Sequence, residues 1–129
     1  MREILFRGKA KCGLRAGEFI HGYYVKDFWL PTRTGHGILP LAKEKGGYYE
    51  VYPETVGQFT GLTDKNGKRI FEGDIIYMGL FPFVIKYDVE NARYMLFNSR
   101  GGKRDGFNAF TMETHEVIGN IHDNPELLK

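Results

Sequence analysis

From Glu3 to Lys11 the side chains alternate, with Ile4, Phe6 and Gly8 on one face and Glu3, Leu5, Arg7 and Lys9 on the other. A period of two predicts a strand, because successive strand side chains point to opposite faces. Cys12, Gly13, Arg15 and Gly17 punctuate the chain. Phe19, Ile20, Tyr23, Tyr24 and Val25 then predict a second strand, which Trp29 and Leu30 extend. Pro31, Thr32, Arg33, Thr34 and Gly35 read as a surface loop, and Gly37 to Leu41 as a short strand ended near Pro40. After Gly46 and Gly47, Tyr48 to Tyr52 form the return strand of a hairpin with the Ile38 segment, and Pro53 stops it. Glu54 to Phe59 fits either one helical turn or an extended connection, since so short a piece has no period to read.

The second half is the more β-like. A turn of Asp64, Lys65, Asn66 and Gly67 leads to Phe71, Glu72, Gly73, Asp74, Ile75 and Ile76, so Gly61 to Phe71 reads as a hairpin feeding another strand. Asp, Asn and Gly tolerate the tight or left-handed backbone of a hairpin tip, Gly73 permits a bend, and Asp74 can accept hydrogen bonds from donors around it. Strands are predicted at Asp74 to Met78, Phe81 to Asp88 and Tyr94 to Asn98, with Pro82 fitting a sheet edge or a strand start. Ser99 to Gly106 is a flexible charged loop, and the last strand runs from Glu116 to Ile121. Asn124 is placed to cap a terminal helical turn with Pro125 at its first position. No stretch has the period of a long amphipathic helix.

These elements predict a mainly β protein, with a β-rich α+β arrangement as the variant. The expected architecture is a small twisted, partly open SH3-like barrel with hairpin extensions and at most short helical turns. The 129 residues suit a single domain, with 1–55 as a variable N-terminal β part and 56–129 as hairpin plus barrel-like part. Hydrophobic residues at 42%, with 10 Phe and 8 Tyr, supply a core despite 17 Gly.

Charge changes the picture mainly by its distribution. The net +2 is far from the excess of a dedicated nucleic-acid protein, yet residues 1 to 33 carry seven Lys or Arg against three Asp or Glu. An electropositive N-terminal face follows, or else solvated cations on the outer face of a strand. Cys12 is the one cysteine, which excludes an intrachain disulfide and a multi-thiolate zinc site and reads as a small buried or half-buried thiol. No apolar run approaches the roughly 18 to 20 residues of a membrane span, and no signal-peptide core follows Met1 and Arg2, so a cytoplasmic protein is expected.

The run Val56, Gly57, Gln58, Phe59, Thr60, Gly61, Leu62, Thr63, Asp64, Lys65, Asn66, Gly67, then Ile70, Phe71, Glu72, Gly73, Asp74 and Ile75, closely resembles the YopX family. Arg2, Glu3, Ile4, Phe6 and Arg7 are similar to its opening strand, and Glu116 to Ile121 with Asn124, Pro125, Glu126 and Leu127 to its closing motif. The segment from Ala16 to Gly47 and the region around Arg100 are less recognisable. The resemblance implies a mostly β fold, a phage or prophage origin and no known catalytic residues. One departure is Gly8, Lys9 and Ala10, where the family often has a Trp and an Asp soon after the first strand.

No catalytic, cofactor or metal signature is present. Glu72 and Asp74 fall far short of the oxygen ligands a hard cation needs, and His21, His36, His115 and His122 show no paired ligand spacing. Arg100, Lys103 and Arg104, around Gly101 and Gly102, are the best candidates for a ligand or partner contact, though the loop lacks the Walker pattern and an exposed solubilising tip explains it equally well. Tyr23, Tyr24, Trp29, Tyr48, Tyr49 and Tyr52 beside Arg15, Lys26 and Arg33 suit a stacking platform for single-stranded nucleic acid, or else core packing. The leading expectation is a non-enzymatic binding or regulatory module, a homo-oligomer that covers its sheet edges and meets a host or phage protein or nucleic acid. A nucleotide or phosphate-ester enzyme, with the Arg100 loop as clamp and Asp74 or Glu72 as base, is the rival. A structural component of a phage assembly is a third reading.

Overall fold

The computed structural model describes residues 3–29, 34–41 and 47–128, with the side chains of residues 28 and 29 left aside. The chain divides into two compact units, Met1–Gln58 and Phe59–Lys129. It is mainly β, the described strand pairs are all antiparallel, and the described strands close into no barrel.

The first unit holds β1 (Phe6–Lys9), β2 (Phe19–Trp29), β3 (Thr34–Pro40) and β4 (Tyr49–Glu50). A 3-10 turn over Pro53–Thr55 leads to β5 (Gly57–Thr63), within which the division between the units falls. In this unit β1 lies between β2 and the start of β5, while β3 joins β2 to β4. The period-two pattern has a physical cause: Phe6 and Ala10 of one face join Ile20, Tyr24, Ile38, Tyr49, Val51 and Val56 in one apolar cluster. Position 22 on that face takes glycine because a Cβ there would stand 1.9 Å from the Leu39 carbonyl oxygen.

The sequence reading differs from the structure in places. Regular pairing begins at Phe6 rather than Glu3, leaving Ile4 exposed and Leu5 buried. Thr34 and Gly35, read as loop, already belong to β3, while Leu30, Pro31, Thr32, Arg33 and Gly46 lie outside the described residues. A bulge between Val25 and Phe28 keeps β2 continuous to Trp29, with Asp27 at φ 57° absorbing the extra residue. Both readings of Glu54 to Phe59 are realised in turn, a 3-10 turn and then a strand.

The second unit begins with the rest of β5, which pairs with β6 (Arg69–Phe71). There follow β7 (Asp74–Met78), β8 (Phe81–Asp88), β9 (Arg93–Phe97), β10 (Lys103–Arg104), helix α1 (Ala109–Met112) and β11 (Val117–Asn120), in the sheet order β10-β9-β8-β7-β11. Its core gathers Ile70, Ile76, Phe83, Ile85, Leu96, Met112 and Val117. Pro82 is near the start of β8 opposite Tyr77, and since β8 lies between β7 and β9 the start, not the edge, is what admits it.

Two elements escaped the sequence. β10 interrupts the expected loop because Lys103 and Arg104 pair with Phe97 and Leu96, and α1 forms where the Asn108 side chain accepts from the Thr111 N–H. A 3-10 turn over Pro125–Leu128 closes the described chain. Asn124 holds the expected position just before Pro125, its carbonyl accepting from the Leu127 N–H at 3.1 Å, while its side-chain oxygen accepts from the Asn120 N–H at 3.2 Å.

Candidate functional site

The cations of the first unit gather round the turn between β1 and β2. Gly13 and Gly17, at φ of +85° and +84°, allow the chain to reverse, and the Gly17 N–H donates to the Ala10 carbonyl at 2.8 Å. Register then sets the faces. Arg7 stands opposite His21 and Lys9 opposite Phe19, so all four share the face turned away from the cluster around Ile20.

On that face the Phe19 ring meets two cations, the Arg7 guanidinium 4.3 Å and the Lys9 ammonium 4.7 Å from its centroid. Lys11 lies over Tyr52 at 5.8 Å, while Arg15, from the turn, reaches Tyr49 of the cluster-lining face at 5.7 Å. The negative faces of the rings hold these cations. Polar contacts fix them further: Lys9 Nζ donates to the Gly17 carbonyl at 2.9 Å, Lys11 pairs with Glu50 at 3.7 Å and Arg15 with Glu18 at 3.3 Å. These four cations cluster at the β1–β2 turn. Arg7 is buried, so Lys9, Lys11 and Arg15 are the outer members.

Thr55 positions Tyr52, and nothing in the sequence singled it out. Its Oγ1 accepts from the Lys9 N–H at 2.9 Å and donates to the Tyr52 carbonyl at 2.6 Å, while the Tyr52 N–H donates to the Lys9 carbonyl. The 3-10 turn over Pro53–Thr55 is what carries Thr55 there.

The expected aromatic platform separates by face. Tyr24 and Tyr49 pack on the apolar cluster, and Tyr24 shares a hydrogen bond of 2.5 Å with His36 Nδ1. Burial and the nearby Asp27 charge raise the Tyr24 phenol above its ordinary range. Tyr23 points the other way, exposed and opposite Leu39. The Trp29 side chain and Arg33 lie outside the described residues. Cys12, read as a buried or half-buried thiol, is exposed, because the turn after Lys11 carries it off the sheet.

Arg100, Lys103 and Arg104 do not converge. Arg100 sits in a turn in which the Asn98 side chain accepts from the Arg100 and Gly102 N–H groups, both at 2.9 Å. Lys103 and Arg104 point to opposite faces of β10: Lys103 reaches Asp88 at 2.8 Å and Glu90 at 3.1 Å, whereas Arg104 lies over the Phe83 ring. The hydrogen bond from Lys103 holds the Asp88 carboxyl below the usual carboxylate range, helped by Asn91, and the bonds to Asp88 and Glu90 raise Lys103. Lys103 is thus already neutralised.

Asp64, Asn66, Gly67, Gly73 and Asp74 are used in holding backbone. Asp64 is buried; its Oδ1 accepts from the Asn66 and Lys68 N–H groups at 2.9 and 3.0 Å, and its Oδ2 from the Val117 N–H at 3.0 Å. Burial alone would push its carboxyl up, but the bonds from Val117, Asn66 and Lys68 outweigh it and leave the group below its ordinary value. The Gly67 N–H donates to the Asp64 carbonyl, and the Asn66 amide reaches Glu116. Gly73, at φ +94°, donates to Ile85 and accepts from Ile121, and buried Asp74 accepts from the Phe71 N–H at 2.8 Å. Ile75, Val84, Phe97 and Lys103 form one row across four strands, so Asp74 and Arg104 beside it are separated by three strand spacings, about 14 Å. A clamp and base built from them does not assemble. Among the described residues, no three His, Cys, Asp or Glu side chains group as a metal site.

The family model described as YopX protein matches residues 24–129. The chain belongs to the YopX family. A solved structure, protein EF1440 from Enterococcus faecalis, is similar over 100% of both chains with a TM-score of 0.56 and 23% identity, a likeness of fold. Nothing among the curated proteins matches. In this YopX protein the matched region begins at Tyr24 of β2, so Arg7, Lys9, Lys11, Arg15 and Phe19 precede it. The hairpin and the Glu72-Gly73-Asp74 bend lie inside it. No helix is long and apolar enough to cross a membrane among the described residues.

Proposed function

We propose that this YopX protein is a non-enzymatic binding module that holds a polyanionic partner on the β1–β2 face. The observation that carries the reading is the seating of Arg7 and Lys9 over Phe19 and of Lys11 over Tyr52. Ring contacts immobilise long cationic side chains before any partner arrives, which lowers the entropic cost of binding. The first unit also carries the charge excess, nine Lys or Arg against six Asp or Glu over residues 1–58. The Arg100 loop is the poorer candidate, since Lys103 is occupied and Arg104 faces away from it.

Within this reading the protein works in the bacterial cytoplasm as a phage or prophage product, and self-association multiplies the cationic face. The described sheet edges are short, β4 and β10 having two residues each, so covering long edges gives little drive to assemble. Light scattering measures that state directly.

The salt dependence of binding tests the reading. Anisotropy of a labelled oligonucleotide should show log affinity falling linearly with log salt, and Lys9→Ala and Lys11→Ala should each reduce the slope by about one. Lys103→Ala should leave it unchanged. No binding at low salt, or a signal indifferent to salt, removes the proposal.

A further inference from the structure

Beside the cation row, the same face carries an apolar shelf. Phe19, His21 and Tyr23 alternate along β2, and Leu39 stands directly opposite Tyr23 on β3. Tyr23 is 58% exposed and Leu39 39%, in a strand pair whose other face builds the apolar cluster of this unit. The sheet core does not need the Tyr23 ring. Four residues of strand separate Phe19 from Tyr23, about 13 Å, so the charged end and the shelf lie within reach of one short extended ligand.

We infer that the polyanion is single-stranded nucleic acid, its phosphates on Lys9 and Lys11 and an unstacked base against Tyr23 and Leu39. The inference rests on the polyanion reading above and adds the class of ligand. A phosphate chain alone makes no use of an exposed aromatic shelf, and a duplex keeps its base faces stacked inside. A single strand presents both groups at once, and aromatic platforms beside cationic grooves bind it through stacking that every base can supply. Tyr23 suits that role in having an apolar body to cover and a hydroxyl that remains wet. Phe19 does not serve as the shelf, since its ring is already engaged by Arg7 and Lys9.

The test compares three probes on the full chain: a labelled mixed-sequence single strand, the duplex of the same sequence, and inorganic polyphosphate as competitor. The single strand should bind at least about tenfold more tightly than the duplex, and Tyr23→Ala should weaken it by about tenfold. Tyr23→Ala should leave the inhibition constant of polyphosphate unchanged, and Tyr23→Phe should retain single-strand binding. Circular dichroism of both variants checks that the sheet is intact. If the duplex binds as tightly as the single strand, or Tyr23→Ala leaves single-strand affinity unchanged, this inference fails while the polyanion reading stands. If none of the three probes binds at low salt, the polyanion reading fails and takes this one with it.

Discussion

Asp64 gives the sharpest quantitative test of how the hairpin is held. Its carboxylate receives three backbone N–H groups, two from its own turn and one from Val117, 53 residues away. Asp64→Asn keeps one oxygen, which can still serve Asn66 and Lys68, but it turns an amide NH2 toward the buried Val117 N–H. A hydrogen bond to a charged group contributes about 1.5 to 3 kcal/mol, so the expected loss is about 2 to 3 kcal/mol. Asp64→Ala should cost about 3 to 4 kcal/mol rather than three full bonds, because the tip N–H groups can turn to water. With a urea slope of about 1 to 3 kcal/mol per molar, the Asn variant's midpoint falls by on the order of 1 M.

The assay is urea unfolding followed by far-UV circular dichroism between pH 7 and pH 2.5. The folded carboxyl lies below its unfolded value of about 3.9, so its stabilisation is complete above that pH and is lost as pH falls through the folded value. The gap between the native protein and Asp64→Asn should therefore be constant from pH 7 to about 5 and narrow below about 4. A gap under about 0.5 kcal/mol at pH 7, or one unchanged at pH 2.5, would refute the reasoning, because no substantial charge-assisted bond could then be present.

Backbone conformation supplies the other expectations. Gly73→Ala should destabilise by about 1 to 2 kcal/mol through its φ of +94° alone, since a Cβ there meets Ile121 at an ordinary 3.6 Å. Ala92→Gly should do the reverse and stabilise by about 1 kcal/mol, because Ala92 holds φ at 52° between β8 and β9; thermal melts read both. Gly22→Ala should be the most damaging, since the Leu39 carbonyl and Pro40 Cα leave its Cβ no room, and amide exchange should show β2 and β3 unprotected if the variant folds at all.

The mainly β character was legible because strand signals here are local. β7 and β8 have the predicted bounds: Ile75, Ile76, Phe83, Val84 and Ile85 form dense apolar runs between turn residues, and such segments are buried wherever they pair. β10 was illegible for the opposite reason. Lys103 and Arg104 have no strand pattern of their own and become a strand because Phe97 and Leu96 lie opposite. α1 is one turn long, too short for a period, and its only mark was Asn108 three residues before Thr111. The cationic face was legible as an excess of charge, but the pairing of each cation with a ring needed register. Neither the grouping of Arg7 and Lys9 on Phe19 nor the part of Thr55 follows from spacing along the chain.

That contrast separates two kinds of residue in this chain. Asp64 and Asp74 bear carboxylates in its most recognisable segment, and both are buried and committed to backbone N–H groups. A carboxylate so engaged is a poor base and a poor ligand, since any new role must first replace bonds that hold a strand in place. Lys9, Lys11 and Tyr23 differ in place: they lie on the sheet face opposite the apolar cluster, with Lys9 Nζ on the Gly17 carbonyl, Lys11 beside Glu50 and Tyr23 exposed. None of the three is buried as Asp64 and Asp74 are. The hairpin therefore identifies the family, and the β1–β2 face is where a partner should be sought.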